Sequence, residues 1–151
     1  MRSMDTAAEL NHLLGPLRRA VLRSVRSAED LPDLPEAQIE LLRVLASASN
    51  GDGISPRAAA TRLKVAPSTV SNLVRAMTAS GLVERHPVPG NNRTVLLAPS
   101  PRALDLLSRY DHAGAATLTA ALDRLPAPDR DRLHATLPVL ARLVAELEHH
   151  P

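Results

Sequence analysis

The sequence predicts a mainly α fold of about six helices, interrupted once by a two-stranded β-hairpin. Three observations predict it. Apolar residues make up 44% of the 151, enough to bury a core, yet there is one Tyr and no Phe or Trp. A core of Leu, Val and Ala favours helices over sheets. Leucines recur at three- and four-residue steps towards both ends of the chain, the period of a helix with one apolar face. Only the middle breaks that period. There, segments 82–86 and 94–98 flank Pro87-Val88-Pro89-Gly90-Asn91-Asn92, which has the composition of a hairpin tip.

The elements follow in order. Thr6-Ala7-Ala8-Glu9 has the capping-box pattern, which places the start of the first helix there. Leu10, Leu13, Leu14, Leu17, Val21, Val25 and Ala28 form its stripe, and Pro16 removes a backbone donor inside it, so a kink is expected. Residues 29–35 are a turn by composition. Pro35 suits the first position of the second helix, with Ile39, Leu42, Leu45 and Ala46 facing inward, and residues 49–53 end it. Ser55-Pro56 pairs an N-cap with a proline at the first helical position and opens a short third helix, about 56–63. Residues 64–66 turn the chain. Pro67 opens a fourth helix that buries Val70, Leu73, Val74 and Met77, and Gly81 closes it.

Beyond the hairpin, Pro99-Ser100-Pro101 starts a fifth helix expected to reach about residue 125. Its inner face carries Leu104, Leu107, Gly114, Leu118, Ala121, Leu122 and Leu125. Pro126-Ala127-Pro128 breaks the chain. In the sixth helix Asp129 and Asp131 sit in the first turn, where the helix dipole favours acids. Leu133, Leu137, Leu140, Val144 and Leu147 repeat as a heptad seam made for a facing helix. Pro138 should bend it. Nothing repeats at the period of a solenoid.

Two short helices, a strand, a turn and a second strand over residues 54–97 spell a winged helix-turn-helix. Charge marks the same segment. Residues 55–94 carry Arg57, Arg62, Lys64, Arg75, Arg85 and Arg93 against the single acid Glu84, a local net of +5 in a chain of +2 overall. Positive charge gathered on such a fold suits a polyanion. With its apolar stripe buried, the fourth helix presents Ser68, Thr69, Ser71, Asn72 and Arg75. Short hydroxyls near a helix N-terminus allow close approach to a groove and to phosphate. Asn can pair with adenine, and Arg with guanine. Arg93, beside the hairpin tip, can enter a minor groove, where A·T tracts concentrate negative potential. Arg57, Arg62, Lys64 and Arg85 are generic phosphate contacts.

Other chemistries have little in the sequence to carry them. Cysteine is absent, which excludes disulfides and thiolate metal sites. Single-strand binding by base stacking lacks aromatic platforms. No apolar run reaches the roughly 18–20 residues of a membrane span. The N-terminal stretch has no apolar core of a secretory signal, so a cytoplasmic protein is expected. Of six His, only the adjacent His149-His150 stand close in sequence, and neighbours on a helix diverge too far to share a metal. No nucleophile elbow, phosphate loop or paired carboxylates appear, so no catalytic residue, cofactor or metal is expected.

The segment resembles the DNA-binding domain of MarR-family transcriptional regulators. The resemblance is carried by SPRAAATRL at 55–63, Val65-Ala66-Pro67-Ser68-Thr69-Val70-Ser71, Leu73-Val74, Gly81-Leu82-Val83-Glu84-Arg85 and Asn91-Asn92-Arg93. It extends over the chain, through Leu34-Pro35-Glu36-Ala37-Gln38 before a Leu-rich helix and two long helices after the hairpin. It implies one domain over 1–151, with 5–30 and 100–150 as a helical dimerisation region around a DNA-binding lobe at 35–99. It also implies a homodimer gripping a pseudo-palindromic duplex as a repressor. The fourth helix would enter the major groove and Arg93 the minor groove, with Asn91 also among the residues expected to bind DNA. A small-molecule effector is implied too, in a cleft near Arg19, Arg23, Arg43, Tyr110 and His112. The family's wing usually has Asp two residues before its Arg, where the carboxylate holds the guanidinium. Asn91 stands here, able to accept a hydrogen bond but without charge, so Arg93 should be less firmly oriented.

Two other readings stay open at this stage. A winged-helix adaptor would meet an acidic protein and bind DNA without sequence preference. A ligand or metal carrier would use only the dimer cleft.

Overall fold

The computed structural model describes residues 1–28, 30–48 and 52–149. Glu29 of the expected linker, Ser49, Asn50 and Gly51 of the expected helix terminator, and His150 of the terminal pair lie outside the described residues. The elements run α1 (Arg2–Ala28), α2 (Glu36–Ser47), α3 (Pro56–Leu63), α4 (Pro67–Ala79), β1 (Val83–Val88), β2 (Asn91–Pro99), α5 (Pro101–Leu122) and α6 (Ala127–His149). The fold is therefore mainly helical with one antiparallel hairpin. The chain forms two compact units, Leu22–Ala113 and Met1–Val21 together with Gly114–Pro151.

The unit Leu22–Ala113 holds the core. Leu41, Leu42 and Leu45 of α2 are fully buried with Val70 and Met77 of α4, Leu82, and Leu97 of β2. Two local devices set the order of its parts. At the end of α4, Gly81 adopts φ +75°. Its N–H donates to the Thr78 carbonyl at 3.1 Å, and the Leu82 N–H reaches back to the Met77 carbonyl at 2.8 Å. These are the two bonds of a Schellman stop, which turns the chain sharply into β1. Near the start of α3, Ile54 and Leu97 exchange backbone hydrogen bonds of 3.0 and 2.7 Å. This bridge ties the chain before α3 to the hairpin.

Several expectations are corrected in detail. Thr6 does not open α1; its hydroxyl donates to the Arg2 carbonyl at 2.9 Å, inside a helix that already runs from Arg2. Pro35 is the N-cap of α2 and not its first helical residue. Leu41 is buried while Ala46 is exposed and Ile39 half-buried, because α2 packs against α3, α4 and β2 and so buries a wider face than one stripe. On α5 the inner face is Ala103, Leu106, Leu107, Tyr110 and Ala113; Leu104 is 47% exposed. Leu104 and Leu106 mark two different stripes of α5 that share Leu107. The core takes the one with small Ala103 and Ala113, and with Tyr110, whose hydroxyl donates to the Pro32 carbonyl. The expected tip residues Pro87 and Val88 belong to β1, and Asn91 and Asn92 to β2, which shortens the turn to Pro89-Gly90.

In the other unit none of the described residues is buried. Leu13, Leu14 and Leu17 of α1, Leu118 and Leu122 of α5, and Leu133, Leu137, Leu140, Val144 and Leu147 of α6 are all exposed. The heptad seam of α6 is thus left unburied, its residues 36–64% exposed.

Gly53 sits at φ +88°, and a Cβ added to it would lie 2.4 Å from the Leu97 carbonyl oxygen. Gly81 has a similar φ, but its nearest neighbour would be the tip of the Arg102 side chain at 3.9 Å. Gly53→Ala is therefore expected to cost about 3 kcal/mol and Gly81→Ala about 1–2 kcal/mol. Urea unfolding of both variants checks the order; equal losses would show that the Gly53–Leu97 approach is not tight.

Candidate nucleic-acid interface

The α3–α4 pair is set by its ends. The Ser55 hydroxyl accepts the Ala58 N–H at 3.1 Å, and Pro56 occupies the first helical position. Lys64 ends α3 in the left-handed conformation, φ +56°, and its N–H returns to the Ala60 and Thr61 carbonyls. Ala66 caps α4 with no side-chain hydrogen bond, and Pro67 follows. The first turn of α4 therefore offers backbone donors that no side-chain cap claims and carries no acid, a favourable place for phosphate.

Val70, Val74 and Met77 hold α4 to the core, with Leu73 half-buried. The rotation this imposes leaves Ser68, Thr69, Ser71, Asn72 and Arg75 exposed on one helix. Residues of α3, α4 and the hairpin enclose a groove of about 470 Å³ whose lining includes Ser55, Arg57, Ser71, Arg85, Arg93 and Thr94. The structure thus brings Arg57, Ser71 and Arg93 together. Arg85, a generic cation by sequence, lines the same groove. Lys64 is exposed at the turn between the two helices.

Several arginines outside α3, α4 and the hairpin have internal partners. Arg26 pairs with Asp33 at 2.8 Å, Arg43 with Asp111 at 2.8 Å and Arg132 with Asp129 at 3.2 Å. Arg102 donates to the Ser80 carbonyl at 2.8 Å. Among the described residues, the side chains of Arg57, Arg62, Arg75, Arg85 and Arg93 have no hydrogen-bonding or ionic partner. The one acid of the segment, Glu84, meets His86 at 3.0 Å. Among the described residues Arg2, Arg19, Arg23, Arg124 and Arg142 have no side-chain partner either; what distinguishes the winged helix is that five such guanidinium groups stand there against one acid, an arrangement that suits a polyanion.

At the hairpin tip the Asn91 side-chain oxygen accepts the backbone N–H of Arg93 at 3.1 Å. Asn91 therefore holds the backbone of Arg93 and not its guanidinium.

The remaining candidates lie elsewhere. The Asp111 hydrogen bond holds the Arg43 guanidinium above its ordinary pKa, against partial burial. Tyr110 is buried on the Pro32 carbonyl. Arg23 and His112 are exposed in the same unit, while Arg19 is exposed on the part of α1 that belongs to the other unit. No group of three or more metal-ligating side chains occurs among the described residues, and none of their helices is long and apolar enough to cross a membrane.

A family model, that of the MarR family, matches residues 33–94. Over those residues the chain is similar to the MarR family. Over 134 residues the chain is 26% identical to an HTH-type transcriptional regulator of Mycobacterium bovis, covering 89% of this chain and 94% of the relative. A putative transcriptional regulator of Pseudomonas aeruginosa superposes with a TM-score of 0.80 at 22% identity, over 95% of this chain and 97% of that one. A mutant of S. aureus MepR bound to an oligodeoxyribonucleotide superposes with a TM-score of 0.68 at 15% identity, over 94% and 97%. The matched family model and the relatives' names point to a transcriptional regulator rather than an enzyme.

Sequence reasoning missed the residue that ties the end of α4 to the root of the hairpin. Ser100 is buried; its hydroxyl donates to the Gly81 carbonyl at 2.7 Å and accepts the Ala103 N–H at 3.1 Å. The signal was Ser100-Pro101 at a helix start, readable as a cap but not as a tie to a loop 19 residues away. Ser100→Ala removes the cap and leaves a carbonyl unpaired, so a loss of about 2–3 kcal/mol is expected in chemical unfolding. A loss below about 0.5 kcal/mol, the scale of an ordinary surface substitution, would show that the tie is dispensable.

Proposed function

We propose that the chain is a sequence-specific, double-stranded-DNA-binding homodimer that represses transcription from a pseudo-palindromic operator. The observation that supports this best is the gathering of Arg57, Arg85 and Arg93 on one groove with Ser71 of α4, whose exposed face also carries Arg75. In this reading Ser68, Thr69, Ser71, Asn72 and Arg75 face the major groove, with Arg75 reading guanine. Arg93 reaches the minor groove. Arg57, Lys64 and Arg85 neutralise phosphates. That a structural neighbour is bound to an oligodeoxyribonucleotide accords with it.

The dimer is supported by the unburied seam of α6. A row of exposed Leu and Val on a 23-residue helix is an unfavourable surface for a lone chain, and a second copy covers it at heptad spacing. Residues 5–30 and 100–150 then form the dimerisation region, and 35–99 the DNA-binding lobe, of one domain. A small-molecule effector would release the operator by changing the spacing of the two α4 helices, which must stand roughly 34 Å apart, about one turn of duplex. Arg19, Arg43 and Tyr110 are the residues proposed to face it. Arg43 is already held by Asp111, and Tyr110 by Pro32, so Arg19 is the most available of the three.

Selection of bound sites from random duplex DNA tests the reading. An enriched palindrome with half-sites about one turn apart is expected. Binding with no enriched motif, lost as salt rises, would favour the adaptor instead. Arg75→Ala is expected to lower discrimination between the selected site and random duplex by about 1–3 kcal/mol; equal loss on both DNAs would remove Arg75 from base readout. Leu140→Glu is expected to break the dimer, and a variant that still sediments as a dimer would place the seam elsewhere.

A further inference from the structure

We infer that Asn91 is a positioning residue: it fixes the hairpin tip through the backbone of Arg93 and so sets the direction in which the free guanidinium leaves the wing. The consequence for DNA rests on the DNA-binding reading above; the tip geometry does not.

The tip needs such a device. Val88 pairs with Asn91 around Pro89-Gly90, with Gly90 at φ +80°. Proline followed by a positive-φ glycine is the composition of a type II turn, whose twist opposes that of a right-handed hairpin. The next pair along is Pro87 with Val95, so residues 92–94 of β2 stand between the partners of two adjacent β1 residues. Pro87 has no N–H, so it can donate no ladder bond here. The Arg93 N–H thus falls in the bulge, where strand pairing does not serve it.

Asn91 supplies the missing partner. Its Oδ1 accepts the Arg93 N–H at 3.1 Å, and its Nδ2 donates to the Thr94 Oγ1 at 2.8 Å. A backbone N–H can only donate, which settles which end of the amide faces it. The same side chain has no charge to draw in the guanidinium, and Glu84 is engaged by His86. Backbone and side chain of Arg93 are therefore treated oppositely: the first is fixed and the second is left for an external anion.

Amide hydrogen exchange on the free full-length protein tests the geometry without DNA. Asn91→Ala is expected to speed exchange at Arg93 about fivefold, the loss of one ordinary hydrogen bond, while the β1–β2 pairs stay unchanged. Asn91→Asp keeps an acceptor and is expected to keep the protection. An unchanged Arg93 amide in Asn91→Ala would overturn the inference. On the selected duplex, Asn91→Ala is expected to weaken binding about fivefold in the native background and not at all beside Arg93→Ala. Equal losses in both backgrounds would also overturn it, by showing that Asn91 touches DNA itself. A native chain with no duplex preference would sink the DNA reading, and the exchange result alone would then decide the tip geometry.

Discussion

The placement of α4 against the hairpin depends on one junction, the contact of Ser100 with Gly81. Gly81 stops α4 through two backbone bonds and sends the chain into β1. Seventeen residues of hairpin later, β2 ends beside that stop. There the Ser100 N–H donates to the Leu82 carbonyl at 2.9 Å while its hydroxyl holds the Gly81 carbonyl and caps α5. Arg102 adds a bond to the Ser80 carbonyl. The last turn of α4, the root of the wing and the first turn of α5 are thereby one hydrogen-bonded knot. Because the buried groups at a helix end must find partners, few other arrangements of these three elements are open.

From that knot the functional surface follows by geometry. Fixing both ends of the hairpin against α4 places Arg85 and Arg93 on the same groove as Arg57 and Ser71. The core residues Val70, Val74 and Met77 fix the rotation of α4, and so decide that hydroxyls, an amide and a guanidinium point outward. Electrostatics divides the rest. The arginines on α1, α2 and α6 that find acids are Arg26, Arg43 and Arg132, exposed pairs each worth little to stability. Those of α3, α4 and the wing find none, which keeps their charge available to a ligand.

The parts legible in sequence are those whose signals are local. Ser55-Pro56, Pro67 and Gly81 marked the ends of α3 and α4 correctly, since each acts through its own backbone geometry. Segregation of charge into residues 55–94 was legible too, because only one acid lies nearby in sequence to cancel it. Signals that depend on tertiary partners were not legible. The inner face of α5 was read one row off, since only packing chooses between Leu104 and Leu106. The Ser100 tie spans 19 residues, and the bulge at Arg93 arises from a register that Pro87 and Pro89 impose together. At Asn91 the sequence showed a missing charge, whereas the structure shows what the amide does in its place.

The central claim is that Arg57, Arg75, Arg85 and Arg93, and not the arginines in ion pairs, meet the DNA. Arginine side-chain N–H resonances, followed while the duplex is titrated in, test it most directly. The account expects shifts and slowed exchange at Arg57, Arg75, Arg85 and Arg93, with Arg26, Arg43 and Arg132 unmoved. Shifts confined to the paired arginines, or none at any, would contradict it.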